Sequence, residues 1–283
     1  MADLPDRRRR LVTAALAGSA VWLAGCAERF FFYPDQRIYA TPGTYGLAAE
    51  DVEIAGPEGE RLHAWWLPAP GAARGTVLHA HGNAANVSNH LPLIAWLPEA
   101  GFNVLSFDYR GYGRSTGRPS LEGVVDDTLA ALRHLRGRHG IDPRRLAVLG
   151  QSLGGATALR AVARSPDGVR LLIVDSAFSS YQGIAEEAAA ASAPLRWLAP
   201  LLLPTLPGPS DDPLAAVARL SMPVLVMHGT ADEVIGHHHG VALHAAAREP
   251  KQWLPVPGGH HIDGLTRADV RDRVLRALHD ALA

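Results

Sequence analysis

The sequence predicts an α/β fold: a mostly parallel central sheet of about eight strands, helices on both faces and a small partial lid. Three observations lead there. Short apolar runs alternate with helix-length amphipathic stretches from residue 75 to the C-terminus. An alternating, hairpin-like pair at 52–56 and 61–69 precedes them. The run LAVLGQSLGGATALRAVA (146–163) sets a serine among glycines where a buried strand gives way to a helix.

The elements follow in order. VEIAG and RLHAWWLPA read as the hairpin, and GTVLHAHG (75–82) as the first parallel strand. Residues 88–100 read as a helix, NVLSFDYRG (103–111) as a strand, and 120–140 as a helix with Ser120 as N-cap. The serine strand and its helix come next, then the strand VRLLIVDSAF (169–178). The last part reads as strand 222–232, helix 237–249, strand 252–259 and helix 267–282. Such alternation means parallel strands joined by crossover helices, with ligands at the carboxyl ends of the strands. Residues 181–215 break the rhythm, because prolines in APLRWLAPLLLPTLPGPSDDP rule out one regular helix. This excursion is expected to lie over the strand ends as a partial lid, with Leu198, Leu201, Leu202 and Leu203 near them. One domain is expected over 45–283.

The chain has 283 residues, 47% of them hydrophobic, which is enough for one large core. Its net charge is −1, and 23 basic and 26 acidic residues remain once the first 25 are set aside, a balance of −3. That argues against a nucleic-acid binder. The first 25 residues read as a signal peptide: MADLPDRRRR is a basic leader and LVTAALAGSAVWLA an apolar stretch too short to span a bilayer comfortably. LAGC at 23–26 resembles the lipobox of bacterial lipoproteins, with Cys26 as the lipidated residue and 26–44 as a membrane tether and N-terminal segment. The expected location is the bacterial cell envelope, lipid-anchored to a membrane through Cys26. Ala27 leaves the outer membrane, facing the periplasm, open. Cys26 is the only cysteine, so neither an intramolecular disulfide nor a thiolate cluster can form.

A serine nucleophile needs a base, an acid to orient that base, and two donors for the oxyanion. Ser152 sits in G-x-S-x-G in the strand–turn–helix context that the motif requires. Asp232 follows an apolar strand and the pair His260–His261 follows the next one, which completes the order Ser…Asp…His. Asp175, at another strand end, is the rival acid, and Glu233 is expected to point elsewhere. The backbone N–H of Leu153 is the first expected oxyanion donor, and that of Asn83 in HGNAAN (81–86) the second, with Gly82 permitting the turn. His237, His238 and His239 look like a metal site, but consecutive helical residues diverge by about a hundred degrees and are read as solvated surface. His79 and His81 share a strand face but lack a third ligand.

With these residues in view, 28–283 resembles the α/β-hydrolase superfamily, and within it the Bem46/YfhR-like branch of serine hydrolases. The resemblance rests on FFFYPD, HGNAANVS, NVLSFDYRGYGRSTGRPS, LGQSLGGA, PVLVMHGTADEV and VPGGHHID, of which DYRGYGRS is the most diagnostic. It implies Ser152 as nucleophile, Asp232 as acid, His261 as base, and Asn83 and Leu153 as oxyanion donors. It also implies an ester- or thioester-cleaving enzyme with no metal or organic cofactor. The expected partner is a small-molecule or lipid-like acyl ester. His260, and residues 190–213, depart from the pattern of relatives. The reading is a serine hydrolase of carboxylic esters. Its alternatives are an acyl-protein thioesterase and, in another class, a non-catalytic surface binding lipoprotein.

Overall fold

The computed structural model describes residues 31–282, so Cys26 and the signal-peptide reading lie outside the described residues. Eight strands form one sheet: β1 Glu50–Ala55, β2 Arg61–Leu67, β3 Gly75–Ala80, β4 Phe102–Phe107, β5 Leu146–Gln151, β6 Val169–Asp175, β7 Val224–Gly229 and β8 Lys251–Val256. Their spatial order is β1-β2-β4-β3-β5-β6-β7-β8. Only the β1–β2 and β2–β4 pairings are antiparallel, and the other five are parallel. The central strands β3, β4, β5 and β7 are buried along their whole length, which is why they read as continuous apolar runs rather than alternating ones. β1 alternates, as an edge strand with one solvated face must.

The helices are α1 Val87–Ile94, α2 Gly123–Gly137, α3 Leu153–Arg164, α4 Tyr181–Ala191, α5 Ala193–Leu202, α6 Pro213–Val217, α7 His237–Ala246 and α8 Ala268–Leu282. They divide the core into two layers. On one face, Val124 and Leu132 of α2, Leu159 and Val162 of α3 and Leu243 of α7 pack against Leu78, Val148 and Leu172 of the sheet. On the other, Leu91 and Ile94 of α1 and Val270, Val274 and Leu278 of α8 cover Val77, Leu149 and Ile173. Burial of this kind contributes about 1.5–3 kcal/mol per large apolar side chain.

Several boundaries differ from the sequence reading. The helix expected at 88–100 is capped by Asn86, whose side chain accepts from Ser88 N at 3.0 Å, and it stops at Ile94. Ser120 does accept from Gly123 N at 3.0 Å, but regular helix begins only at Gly123. The excursion is two helices broken at Ser192, whose φ of −130° is extended, followed by short 3-10 turns at Leu203–Thr205 and Pro209–Asp211. The segment expected as a tether over 26–44 is pinned to the domain from Phe31 onward. Phe32 is buried, and Tyr33–Pro34 pairs in parallel with Ala84–Ala85. Asn86 Nδ2 also donates to Asp35 Oδ1 at 2.9 Å. Aromatic burial and this short pairing tie residues 31–35 to the domain, ahead of the start expected at 45.

Candidate active site

The turn from β5 into α3 carries Ser152 at φ 55° and ψ −119°, a conformation that costs a non-glycine residue about 1–3 kcal/mol. Its neighbours hold it there. A Cβ on Gly150 would lie 2.4 Å from Gly154 O, and one on Gly154 would lie 2.0 Å from Ala80 O. The glycines are therefore required by close backbone approach, which leaves the serine to absorb the turn. Ser152 N donates to Asp175 O at 2.8 Å, and the residue is 6% exposed.

Ser152, Asp232 and His261 come together at the carboxyl ends of β5, β7 and β8. His261 Nδ1 donates to Asp232 Oδ2 at 2.8 Å, and its Nε2 lies 3.0 Å from Ser152 Oγ, positioned to accept the hydroxyl proton. The loops bearing the acid and the imidazole meet backbone to backbone. Ala231 N donates to Gly259 O, and a Cβ on Gly229 would lie 2.3 Å from that oxygen. Burial pushes the Asp232 carboxyl up, but hydrogen bonds from His228, His261 and the Ile235 N–H outweigh it and hold it well below the usual carboxylate range. Val234 N and Ile235 N each donate to Oδ1 at 2.9 Å.

The neighbouring candidates separate cleanly. His260 turns outward and pairs with Glu233 at 2.9 Å, and its side chain is 60% exposed. Asp175 is buried and holds Gln151 Nε2 at 3.0 Å and Ser176 Oγ at 3.2 Å. It belongs to a chain beneath the turn, in which His79 links Ser106 Oγ at 2.7 Å to Gln151 Oε1 at 3.0 Å. His79 is thus a satisfied buried residue, as is expected of a strand histidine without further ligands. The backbone N–H groups of Asn83 and Leu153 have no protein acceptor among the described residues, so both are available to a ligand. Gly82 has no left-handed φ. It is needed for space, since a Cβ there would lie 2.8 Å from His90 Cε1.

The DYRGYGRS segment, whose role the sequence did not disclose, clamps the loop carrying Asn83. Tyr112 OH donates to Asn83 Oδ1 at 2.7 Å and Tyr109 OH to His81 O at 3.2 Å. Arg110 anchors the segment from below through a buried ion pair with Asp127 at 2.8 Å. Two site residues were missed by sequence reasoning. His228 is fully buried, donates from Nε2 to Ile235 O at 2.8 Å and lies 3.3 Å from Asp232 Oδ2. Its position four residues before Asp232 in HGTAD was the available signal. His90, buried beside Gly82, lines the cavity, and burial pushes its imidazole down to about 4.

A cavity of about 680 Å³ opens over Ser152 and His261. Phe178, Ile184, Ala185, Ala188, Val234 and Ile262 supply its apolar walls, and Glu187, Glu233 and Asn89 its polar edges. The leucines expected over the strand ends do not line it. Leu202 and Leu203 pack against the core, whereas Leu198 and Leu201 face solvent. The wall comes instead from α4, because the break at Ser192 turns α5 away. Among the described residues one group of three side chains has donor atoms close together, Glu187 with His238 and His239, and Glu187 lines the same cavity as Ser152. Of the histidine run read as solvated surface, His238 is exposed and His239 is buried. The angle between adjacent Cα–Cβ bonds does not fix where two long imidazoles end, and here both Nε2 atoms reach the same carboxylate. His237 alone stays apart, against Trp253. No helix among the described residues is long and apolar enough to cross a membrane.

Comparison with known proteins supplies the context. A family model described as serine aminopeptidase, S33 (Hydrolase_4) matches residues 71–213. The uncharacterized protein YfhR of Escherichia coli K12 is 40% identical over 265 residues, which cover 89% of each chain. The alpha/beta hydrolase domain-containing protein WAV2 of Arabidopsis thaliana is 34% identical over 235 residues, covering 79% of this chain and 75% of its own. Among solved structures, an esterase of Pyrococcus furiosus superposes with a TM-score of 0.74 at 20% identity, over 89% of this chain and 99% of its own.

Proposed function

This chain belongs to the Hydrolase_4 family of α/β-hydrolases, with the YfhR proteins among its relatives, and on that premise we propose that it is a serine hydrolase of carboxylic esters. The observation that carries the reading is the unbroken run of contacts from Asp232 through His261 to Ser152 Oγ, at 2.8 and 3.0 Å. With Asp232 held ionised, Nδ1 of His261 keeps its proton and Nε2 is the acceptor. Ser152 Oγ attacks the ester carbonyl as its proton passes to Nε2. The developing oxyanion is met by the N–H groups of Asn83 and Leu153, each such donor contributing about 3 kcal/mol to the transition state. His261 then protonates the departing alcohol, and water, deprotonated by the same imidazole, releases the acid from the acyl-enzyme. The apolar walls over Ser152 suit an acyl chain or another hydrophobic group of the substrate.

The test is turnover of p-nitrophenyl esters of increasing chain length, together with labelling by a fluorophosphonate probe. Wild type is expected to hydrolyse the esters and gain one label. Ser152→Ala should lose both, with activity down by about 10⁶ where the nucleophile and base act as a unit, and an unchanged melting temperature. Activity within tenfold of wild type would sink the reading. A chain that neither labels nor turns over any ester would be the non-catalytic binding protein instead. Export and lipidation at Cys26 are part of the same proposal, motivated by the basic leader and LAGC. Detergent partitioning and intact mass after bacterial expression test it, and Cys26→Ala should abolish the lipid-linked mass.

A further inference from the structure

α5 stands outside the cavity, and it is built unlike a helix that faces water. Pro194, Trp197, Leu198 and Leu201 recur at the spacing of one helical face, and all four are exposed. Trp197 is exposed at 81%, Leu198 at 42% and Leu201 at 58%. Leu195, Ala199 and Leu202 form the partly buried line of the same helix. Arg196, also exposed, is the only charged residue between Glu187 and Asp211. Single exposed leucines need no explanation, but an apolar stripe along one helix marks a surface that meets something.

Two observations say what it meets. The first is where the chain leads. The described residues begin at Phe31, which lines the cavity and sets its ring against Tyr181 at the start of α4, with centroids 6.1 Å apart. α5 packs on that same helix. Cys26 stands five residues before Phe31, and five extended residues span at most about 18 Å. A lipid on Cys26 therefore leaves the chain within that distance of the cavity wall, and α5 lies one helix diameter, about 10 Å, from α4. The second observation is composition. An outward face of tryptophan and leucine, with no carboxylate and one arginine, suits the headgroup level of a bilayer. Indole is favoured there, and anionic lipid attracts the cation.

We propose that α5 docks on a phospholipid bilayer through Trp197, Leu198 and Leu201, with Arg196 against anionic headgroups, as a second attachment beside Cys26. A helix lying in the interface sinks its apolar face about 5–10 Å. One point of attachment does not orient a domain on a surface, and a second one does. The consequence for the cavity rests on the hydrolase reading above: α4, the cavity wall, is held next to the lipid, and the ester is drawn from the bilayer rather than from water.

The experiment reconstitutes the full-length protein in vesicles of phosphatidylcholine and phosphatidylglycerol, with and without brominated acyl chains. Brominated lipid is expected to quench the fluorescence of wild type more than that of Trp197→Phe, which keeps the other five indoles. A variant carrying Trp197→Ser, Leu198→Ser and Leu201→Ser, all at exposed positions, should keep p-nitrophenyl acetate turnover within twofold of wild type. It should lose at least tenfold on a long-chain ester dissolved in the vesicles. Equal quenching in wild type and Trp197→Phe would overturn the docking and leave α5 to a second copy or to residues 11–24 of its own chain. Undiminished turnover of the vesicle ester by the triple variant would overturn it as well. If wild type hydrolyses neither ester, the hydrolase reading falls, and the quenching difference still decides the docking.

Discussion

The turn at Ser152 and the excursion over 181–205 face the same cavity but are built in opposite ways. Around Ser152 the backbone is enclosed on every side: Gly150, Gly154 and Gly155 all lack room for a Cβ, and α3 is buried from Leu153 to Val162. The strained φ of Ser152 persists because its surroundings over-determine it. In the excursion, α5 presents Trp197 at 81% and Leu201 at 58% exposure, and α4 alone reaches the cavity. The nucleophile therefore rests on a turn enclosed by close backbone contacts. The substrate wall is α4, anchored by the buried Tyr181 and by Ile184 and Ala185 against the core, and α5 beyond it is the exposed part. One fold thus sets an enclosed nucleophile beside an excursion whose outer helix is exposed.

That contrast can be broken most severely at the imidazole. His261→Ala should lower kcat by about 10⁴-fold or more, since the serine loses its proton acceptor. His260→Ala, one residue away but paired with Glu233 in solvent, should change it less than tenfold. Steady-state kinetics of both from pH 5 to 9 decide this, and a dead His260→Ala would shift the assignment by one residue.

The next largest effect is expected at the turn itself. Gly154→Ala drives a methyl into Ala80 O and His81 O, at the end of the strand that leads to Asn83. It should cost about 1–3 kcal/mol of stability and at least 100-fold in activity, because the backbone must shift to relieve the contact. A variant with wild-type melting and turnover would show that the enclosure is looser than the distances imply.

Acid should also act on the enclosed side first. Burial pushes His79 down to about 3 and His90 to about 4, and it holds His81 well below its ordinary value. Each binds more protons unfolded than folded below about pH 6.5, so the stability of neutral burial is full above that value and lost as pH falls. At pH 5 the loss is about 2 kcal/mol per histidine, at most roughly 6 for the three, against the 5–15 of a typical domain. Melting temperature should begin to drop near pH 6.5, and hydrogen exchange at pH 5 should rise around 79–90 more than across 193–202. Flat stability down to pH 5 would contradict this. At the other extreme, Leu201→Ser on the exposed face of α5 should shift stability by less than about 0.5 kcal/mol. Thermal melts check it, and a larger loss would mean that α5 is covered in solution.

The sequence by itself determined the alternating order of elements, the turn at Ser152 and the residue types that meet there. It could do so because buried parallel strands must be apolar throughout and because a strand-to-helix turn this tight admits only small neighbours. Asp232 was legible from its place after an apolar strand, and His261 needed the family resemblance as well. Only the tertiary structure decided which of two adjacent histidines turns inward, because that depends on contacts between Gly229 and Gly259, far apart in the chain. The same holds for His228 against Asp232, for Tyr112 bracing Asn83, and for α4 rather than the leucines of α5 lining the cavity. Local patterns report burial and periodicity along one element. The direction of a loop side chain, and the partner it finds, follow from how separate elements approach one another.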